Sequence, residues 1–266
     1  MPNQDLLALQ LQFRQQRQPY ALATVVEIFG SSSAKPTAKA VFNDQGDLLA
    51  GWIGGGCAQS MVATAALVCL SEGSSQMVEI DLTDEVFGAG MPCGGHMRVY
   101  VEAVLPKPQL WLIGHGRIVE TICEFASRVG FAVIVNDAQA NPKQFPTAEQ
   151  LINDDCRYQQ LTPQTGDFVL IATHHKGDYE ALIQALGSDA GYIALIASQK
   201  RSQLVLNRLT QTGFNPADLN RIHAPAGLDL AAKTPEEIAL AIVSEMVLLR
   251  RGGSGLALSK STPNFR

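Results

Sequence analysis

The stretch Leu110-Trp-Leu-Ile-Gly114-His-Gly116-Arg-Ile-Val-Glu-Thr-Ile-Cys-Glu-Phe125, with Phe131-Ala-Val-Ile-Val-Asn-Asp137 behind it, decides how the second half of this chain folds. Leu110 to Ile113 is a short apolar run that reads as a strand. Ile118, Ile122, Phe125 and Val129 follow at spacings of four, three and four, which marks a helix. Phe131 to Val135 is apolar without alternation, as a strand covered on both faces must be. Phe168 to Ala172 and Tyr192 to Ala197 repeat the pattern, with helices expected over Tyr179 to Leu186 and Ser202 to Thr212. Such strand–helix units build a doubly wound parallel sheet. The last helix has a written start: Thr234 as N-cap, Pro235 at the first helical position and Glu237 reaching back.

The turn inside this stretch carries chemistry. Gly114 permits a tight bend after the strand, and Gly116 lets a phosphate approach the backbone. The helix that follows offers its positive end. Asp137 stands 23 positions after Gly114, where an acidic side chain meets a ribose. The third position of the fingerprint is Val119 instead of Gly or Ala, so close helix–strand packing is not guaranteed and a pyrophosphate need not sit as in a dehydrogenase. In such a sheet the strand ends share one crevice. Thr173-His174-His175, Ser198-Gln199-Lys200-Arg201 and Arg221-Ile-His223 are expected there, a set suited to an anion. His174 fits three roles: donor to a phosphate or carbonyl, base, or cap of the sheet edge.

Upstream of Val104-Leu-Pro-Lys-Pro-Gln109 the pattern changes. Two prolines around a lysine make a short stiff linker, which divides the chain into a mixed α/β domain over residues 1–105 and the parallel-sheet domain over 109–266. The first domain reads as a helix from Asp5 to Gln16, a strand from Tyr20 to Phe29, and a hairpin turning at Asn43 to Asp47. A helix follows Gly54-Gly55-Gly56-Cys57, with Met61, Val62, Ala65, Val68 and Cys69 on one stripe. Two strands, Met77 to Leu82 and Met97 to Val104, close the domain. Cys57 opens its helix, where free amides favour a thiolate. Cys93 sits in Gly90-Met-Pro-Cys93-Gly-Gly95. Both are small residues on glycine backbone that a bulky or anionic ligand can approach, which suggests a soft-ligand or sulfur-transfer site; the plainer reading is that the glycines serve turns. The loop from Ser31 to Lys35 and Lys39 adds hydroxyls and cations suited to an oxyanion. Cys69 and Cys123 read as core, and Cys156 has no evident partner.

Composition narrows the class. Twenty Lys and Arg against 25 Asp and Glu give a net charge of −5, which argues against a nucleic-acid binder. Ile238 to Leu249, the best apolar stretch, is interrupted by Glu245 and falls short of the ~20 apolar residues of a membrane span. The first residues lack the basic and apolar runs of a secretory signal. Five widely spaced cysteines with no CxxC pair point to reduced thiols in a cytoplasm and against a structural zinc site.

Taken together, the motifs resemble the XdhC/CoxI family of accessory factors for molybdenum hydroxylases such as xanthine dehydrogenase. The resemblance rests on Gly30-Ser-Ser-Ser with Lys35-Pro, Gly51-Trp-Ile-Gly-Gly-Gly-Cys57, Cys93-Gly-Gly and Arg98-Val-Tyr-Val-Glu102. It rests equally on Gly114-His115-Gly116, Thr173-His174 with Asp178, and His223-Ala-Pro-Ala-Gly-Leu-Asp229 leading into Lys233-Thr-Pro-Glu-Glu-Ile-Ala. It implies a Rossmann-like second domain and a non-catalytic or barely catalytic chaperone. Such a chaperone binds the molybdenum cofactor, molybdopterin or its dinucleotide form, shields it during sulfuration and passes it to an apo-hydroxylase. A homodimer and a cysteine desulfurase partner are also implied. On this reading Cys57 contacts the metal or its sulfur, with Cys93, Gly54, Gly55, Gly56, Ser31 and Lys35 around it. Gly114, His115, Gly116, Asp137, His174 and Lys200 line the pterin or phosphate pocket. Two other readings stay open: an NAD(P)-dependent oxidoreductase built on the same turn, with His174 as acid or base, and a docking protein that binds no cofactor.

Overall fold

The computed structural model describes residues 5–81, 95–173 and 177–260. Cys93, His174 and His175 lie outside these residues, as does the side chain of Cys57. The chain divides into two compact units, Met1–Pro106 and Lys107–Arg266.

The first unit is a five-stranded antiparallel sheet with one helix on each face. Its elements are α1 (Leu6–Gln15), β1 (Tyr20–Phe29), β2 (Lys39–Phe42), β3 (Leu48–Gly51), α2 (Cys57–Glu72), β4 (Ser75–Asp81) and β5 (His96–Val104). The sheet order is β3-β2-β1-β5-β4. Because side chains alternate along a strand, each strand feeds two layers. Ala21, Ala23 and Val25 meet Val62 and Cys69 of α2, while Tyr20 and Val41 meet Leu9 and Phe13 of α1. The stripe of α2 differs from the sequence expectation. Ala58, Val62, Ala65, Ala66 and Cys69 are buried, whereas Met61 and Val68 are exposed. Met61 and Val68 sit about 100° and 120° from Val62 around the helix, and the alanines let α2 lie closer to the sheet than larger side chains allow.

The second unit carries the parallel sheet. Its elements are β6 (Gln109–Gly114), α3 (Arg117–Arg128), β7 (Ala132–Asn136), β8 (Gln150–Ile152), β9 (Phe168–Ala172), α4 (Asp178–Leu186), β10 (Tyr192–Leu195), α5 (Gln199–Gln211), α6 (Pro216–Leu219), β11 (Ile222–His223) and α7 (Pro235–Arg251). The order β11-β10-β9-β6-β7-β8, every pairing parallel, is the doubly wound Rossmann order, with its reversal point between β6 and β9. Two cores flank the sheet. Leu110, Leu112, Val133 and Leu170 pack under α3 and α7 on one face. Trp111, Ile113, Ile134 and Ile171 pack under α4 and α5 on the other. Val119 is 2% exposed within the first of these cores, so a β-branched residue fills the place a fingerprint glycine or alanine would leave small. On α3 the buried stripe is Val119, Ile122, Cys123 and Ala126. Val129 lies just past the helix end and is exposed.

Candidate functional site

Gly114 ends β6 opposite Ala172 of β9, at the point where strand order reverses. Its φ of +128° is glycine territory, and a Cβ built on it would lie 2.2 Å from the Ala172 carbonyl oxygen. Only a hydrogen fits there. Gly116 caps α3 with φ +100° and, being glycine, supplies no side-chain cap to that helix start. The first amides of a twelve-residue helix thus face the carboxyl edge of the sheet without a side-chain cap, the arrangement that favours a phosphate. The Arg117 guanidinium lies on Glu236 of α7 at 2.8 Å, which ties the starts of α3 and α7 together.

Asp137 directly follows β7. One carboxylate oxygen accepts from the Gln139 N–H at 2.8 Å, and the other lies 2.9 Å from His115 Nδ1. The sequence-predicted residues Gly114, His115, Gly116 and Asp137 therefore form one cluster. Lys200 is exposed on the first turn of α5. Thr173 and Arg201, expected in the crevice, both bond to the carboxylate of Asp178, at 2.5 and 3.1 Å. Asp178 is buried, and the pairing fastens the starts of α4 and α5. Arg221 is a correction. It precedes β11, at the amino edge of the sheet, and its guanidinium donates to the carbonyls of Leu186, Ser188 and Ala190. It holds the approach to β10 and takes no part in the crevice.

Beyond β10 the same edge opens into a cavity of about 700 Å³, within the range of small-molecule sites. Its walls are Ile196 to Gln199, the loop from Pro225 to Ala232, and Ile238 and Ala241 of α7. The loop is pinned at consecutive amides. Ala226 donates to Leu195, Gly227 to the Glu245 carboxylate at 2.9 Å, and Leu228 to Ala241. Glu245 also accepts from Tyr192 and lies 3.2 Å from His223 Nδ1. Burial pushes the Glu245 carboxyl up, but the hydrogen bonds from His223, Tyr192 and Gly227 outweigh it and hold the group below its ordinary value. Burial first, then the neighbouring carboxylate, push the Tyr192 hydroxyl well up. Sequence reasoning passed over Glu245 as an interruption in an apolar run. That interruption was the signal, since a carboxylate on a buried helix face must be met by donors.

In the first unit three glycine-flanked segments meet at one sheet edge. Phe29 of β1 pairs with His96 of β5, and a Cβ on Gly95 would lie 2.5 Å from the Phe29 carbonyl and 2.6 Å from that of Ser31. A Cβ on Gly54 would come within 4.0 Å of the Ser33 hydroxyl. The Ser31 loop, the Gly54–Gly56 turn that opens α2 at Cys57, and the residue following Cys93-Gly94 are thus neighbours. Lys35 is exposed on that loop. Cys69 and Cys123 are buried and their thiols are pushed up by that burial, which suits packing and not reactivity. Among the described residues no three His, Cys, Asp or Glu side chains are grouped to hold a metal, and no helix is long and apolar enough to cross a membrane.

Residues 110–246 match the XdhC Rossmann domain, and residues 13–81 match the XdhC and CoxI family. The chain belongs to the XdhC and CoxI family. Among XdhC relatives, the Escherichia coli K12 protein YqeB, described as uncharacterized, is 30% identical over 258 residues, 94% of this chain and 47% of YqeB. A Bacillus subtilis 168 protein, described as a probable subunit of xanthine dehydrogenase, is 31% identical over 159 residues, 58% of this chain and 46% of that protein. The chain spans about half the length of the curated relatives it matches. A Bacillus halodurans protein whose crystal structure is described as a xanthine dehydrogenase shares the fold, with TM-score 0.51, 24% identity and 96% and 97% of the two chains covered. In XdhC terms, the reversal-point glycine, the cavity loop and α7 up to Met246 all lie within the matched Rossmann segment.

Proposed function

We propose that this protein serves the maturation of a molybdenum hydroxylase of the xanthine dehydrogenase type, binding the phosphate-bearing molybdenum cofactor before delivery. One observation carries the reading: α3 begins at the strand-order reversal point behind Gly116, at φ +100°, with no side-chain cap on its first turn. The positive end of α3 favours a phosphate there. Membership in the XdhC and CoxI family and the name of the B. subtilis relative supply the client class. Gly114, Gly116 and the first amides of α3 hold the phosphate, and His115 is oriented by Asp137 at the same edge. Cys57, at the start of α2, is assigned the soft contact to the metal or its sulfur, and Cys93, Gly54, Gly55, Gly56, Ser31 and Lys35 are assigned to the same cofactor. His174 and Lys200 are assigned to the pterin or phosphate pocket. When bound, the cofactor supplies the molybdenum dithiolene centre on which hydroxylation by the client depends. The protein works as a homodimer beside a cysteine desulfurase in a cytoplasm.

Molybdopterin released from a denatured molybdenum hydroxylase, mixed with the protein and passed through a desalting column, tests this. Wild type retains pterin fluorescence, Gly114→Ala loses retention about tenfold or more, and Cys57→Ala retains less of the molybdenum-loaded cofactor. Retention unchanged in Gly114→Ala removes the phosphate cradle from the reading. Bound molybdenum unchanged in Cys57→Ala removes the thiol.

A further inference from the structure

We infer that the cavity at the end of β10 is the seat of a planar nitrogen heterocycle, carried by the same ligand whose phosphate sits on the Gly114–Gly116 turn. The inference rests on the cofactor-binding reading above and gives that ligand a direction across the sheet. Two directions are open from the reversal point. Toward β7, the edge is taken up by the His115–Asp137 pair, with Gln139 closing on the second carboxylate oxygen. Toward β10, the edge leads into the cavity of about 700 Å³. From β6 past β9 to β10 is two strand spacings, about 10 Å, a distance that a short phosphorylated linker covers. The Arg117–Glu236 bridge joins the start of α3 to the start of α7, the helix whose Ile238 and Ala241 line the cavity.

The lining fits a flat ring with N–H donors. Ile196, Pro225, Leu228 and Ile238 offer apolar faces, and Ser198 and Asp229 supply polar groups among them. Asp229 lines the cavity, with one carboxylate oxygen accepting from the Ala231 amide at 3.3 Å; the other is an acceptor of the kind that the ring N–H and amino groups of a pterin need. The wall is set before any ligand arrives. Gly227, at φ +101°, lies against Ile242 so closely that a Cβ would be 3.1 Å from it. The amides of Ala226, Gly227 and Leu228 are each bound to β10's end or to α7. A ligand therefore does not have to order this loop on binding.

Three probes on the full chain separate the parts: 6-hydroxymethylpterin, nicotinamide mononucleotide and inorganic pyrophosphate. Wild type quenches the pterin's fluorescence saturably. Ala232→Trp, which places a large ring in the cavity from its loop, weakens that binding by about tenfold or more. Asp229→Asn weakens it severalfold, and pyrophosphate binding, read by calorimetry, is unchanged in both variants. Absence of saturable binding of either ring, or ring binding unaltered in both variants, overturns the inference. Nicotinamide mononucleotide bound in place of the pterin, and lost in Ala232→Trp, upholds the cavity as the ring's seat and counts against the molybdenum cofactor as its ligand. Ring binding intact without any pyrophosphate binding leaves the cavity standing and removes the Gly114 cradle. Should Ala232→Trp fail to fold, Asp229→Asn decides the point.

Discussion

A carboxylate half-buried on an apolar helix has to be answered by donors, and Glu245 is answered by the Tyr192 hydroxyl, the Gly227 amide and the His223 ring. These contacts hold it below its ordinary value. A group with a depressed carboxyl value in the fold stabilises the fold above its unfolded value, and loses that contribution as pH falls through the folded one. Glu245→Gln is expected to cost about 1–3 kcal/mol at neutral pH, since an amide cannot satisfy the same donors. The gap to wild type should close as pH falls below ~4. Thermal melts of both proteins across the acid range check this, and a gap that acid leaves unchanged would remove Glu245 as the source of the stability. At this scale the sequence was partly readable. Gly114, Gly116 and Asp137 announced themselves by their spacing from a strand, because backbone geometry at such a turn leaves few residue choices. Glu245 and Arg221 did not, because their partners lie 18 to 53 and 31 to 35 positions away along the chain.

Elements were more legible than side-chain directions. Strand β1 runs from Tyr20 to Phe29, as its pattern indicated. The start of α7 carries the reciprocal Thr234 and Glu237 bonds that Thr-Pro-Glu-Glu implies. Apolar content alone misplaced the face of α2, because it gave Met61 and Val68 more weight than the alanines. A helix lying close on a sheet selects small residues at the contact and leaves larger ones at its flanks. Val68→Lys is therefore expected to change stability by no more than about 0.5 kcal/mol. Ala66→Leu, at a fully buried position, should cost about 1–3 kcal/mol through overpacking. Urea unfolding of the two variants distinguishes the faces. A large loss in Val68→Lys with a neutral Ala66→Leu would restore the stripe drawn from apolarity.

For the molecule as a whole, each unit closes its own hydrophobic layers. Val62, Cys69, Val99 and Met97 belong to a core of Met1–Pro106, and Leu110, Ile122, Val135 and Ile242 to a core of Lys107–Arg266. The reversal-point turn, the cavity, its pinned loop and the Glu245 contacts all fall within the second unit. Fold and ring site are therefore properties of that unit, whereas the Cys57 turn belongs to the first. A fragment of residues 107–266 is expected to unfold cooperatively and to bind 6-hydroxymethylpterin and pyrophosphate with affinities within about threefold of the full chain, under ~1 kcal/mol. It should also lose molybdenum retention, for want of the Cys57 segment. Circular dichroism melts and the same titrations read these outcomes. A fragment that melts cooperatively yet binds neither probe would show that the first unit contributes to the ring and phosphate sites, and the two sites would then have to be assigned to the chain as a whole.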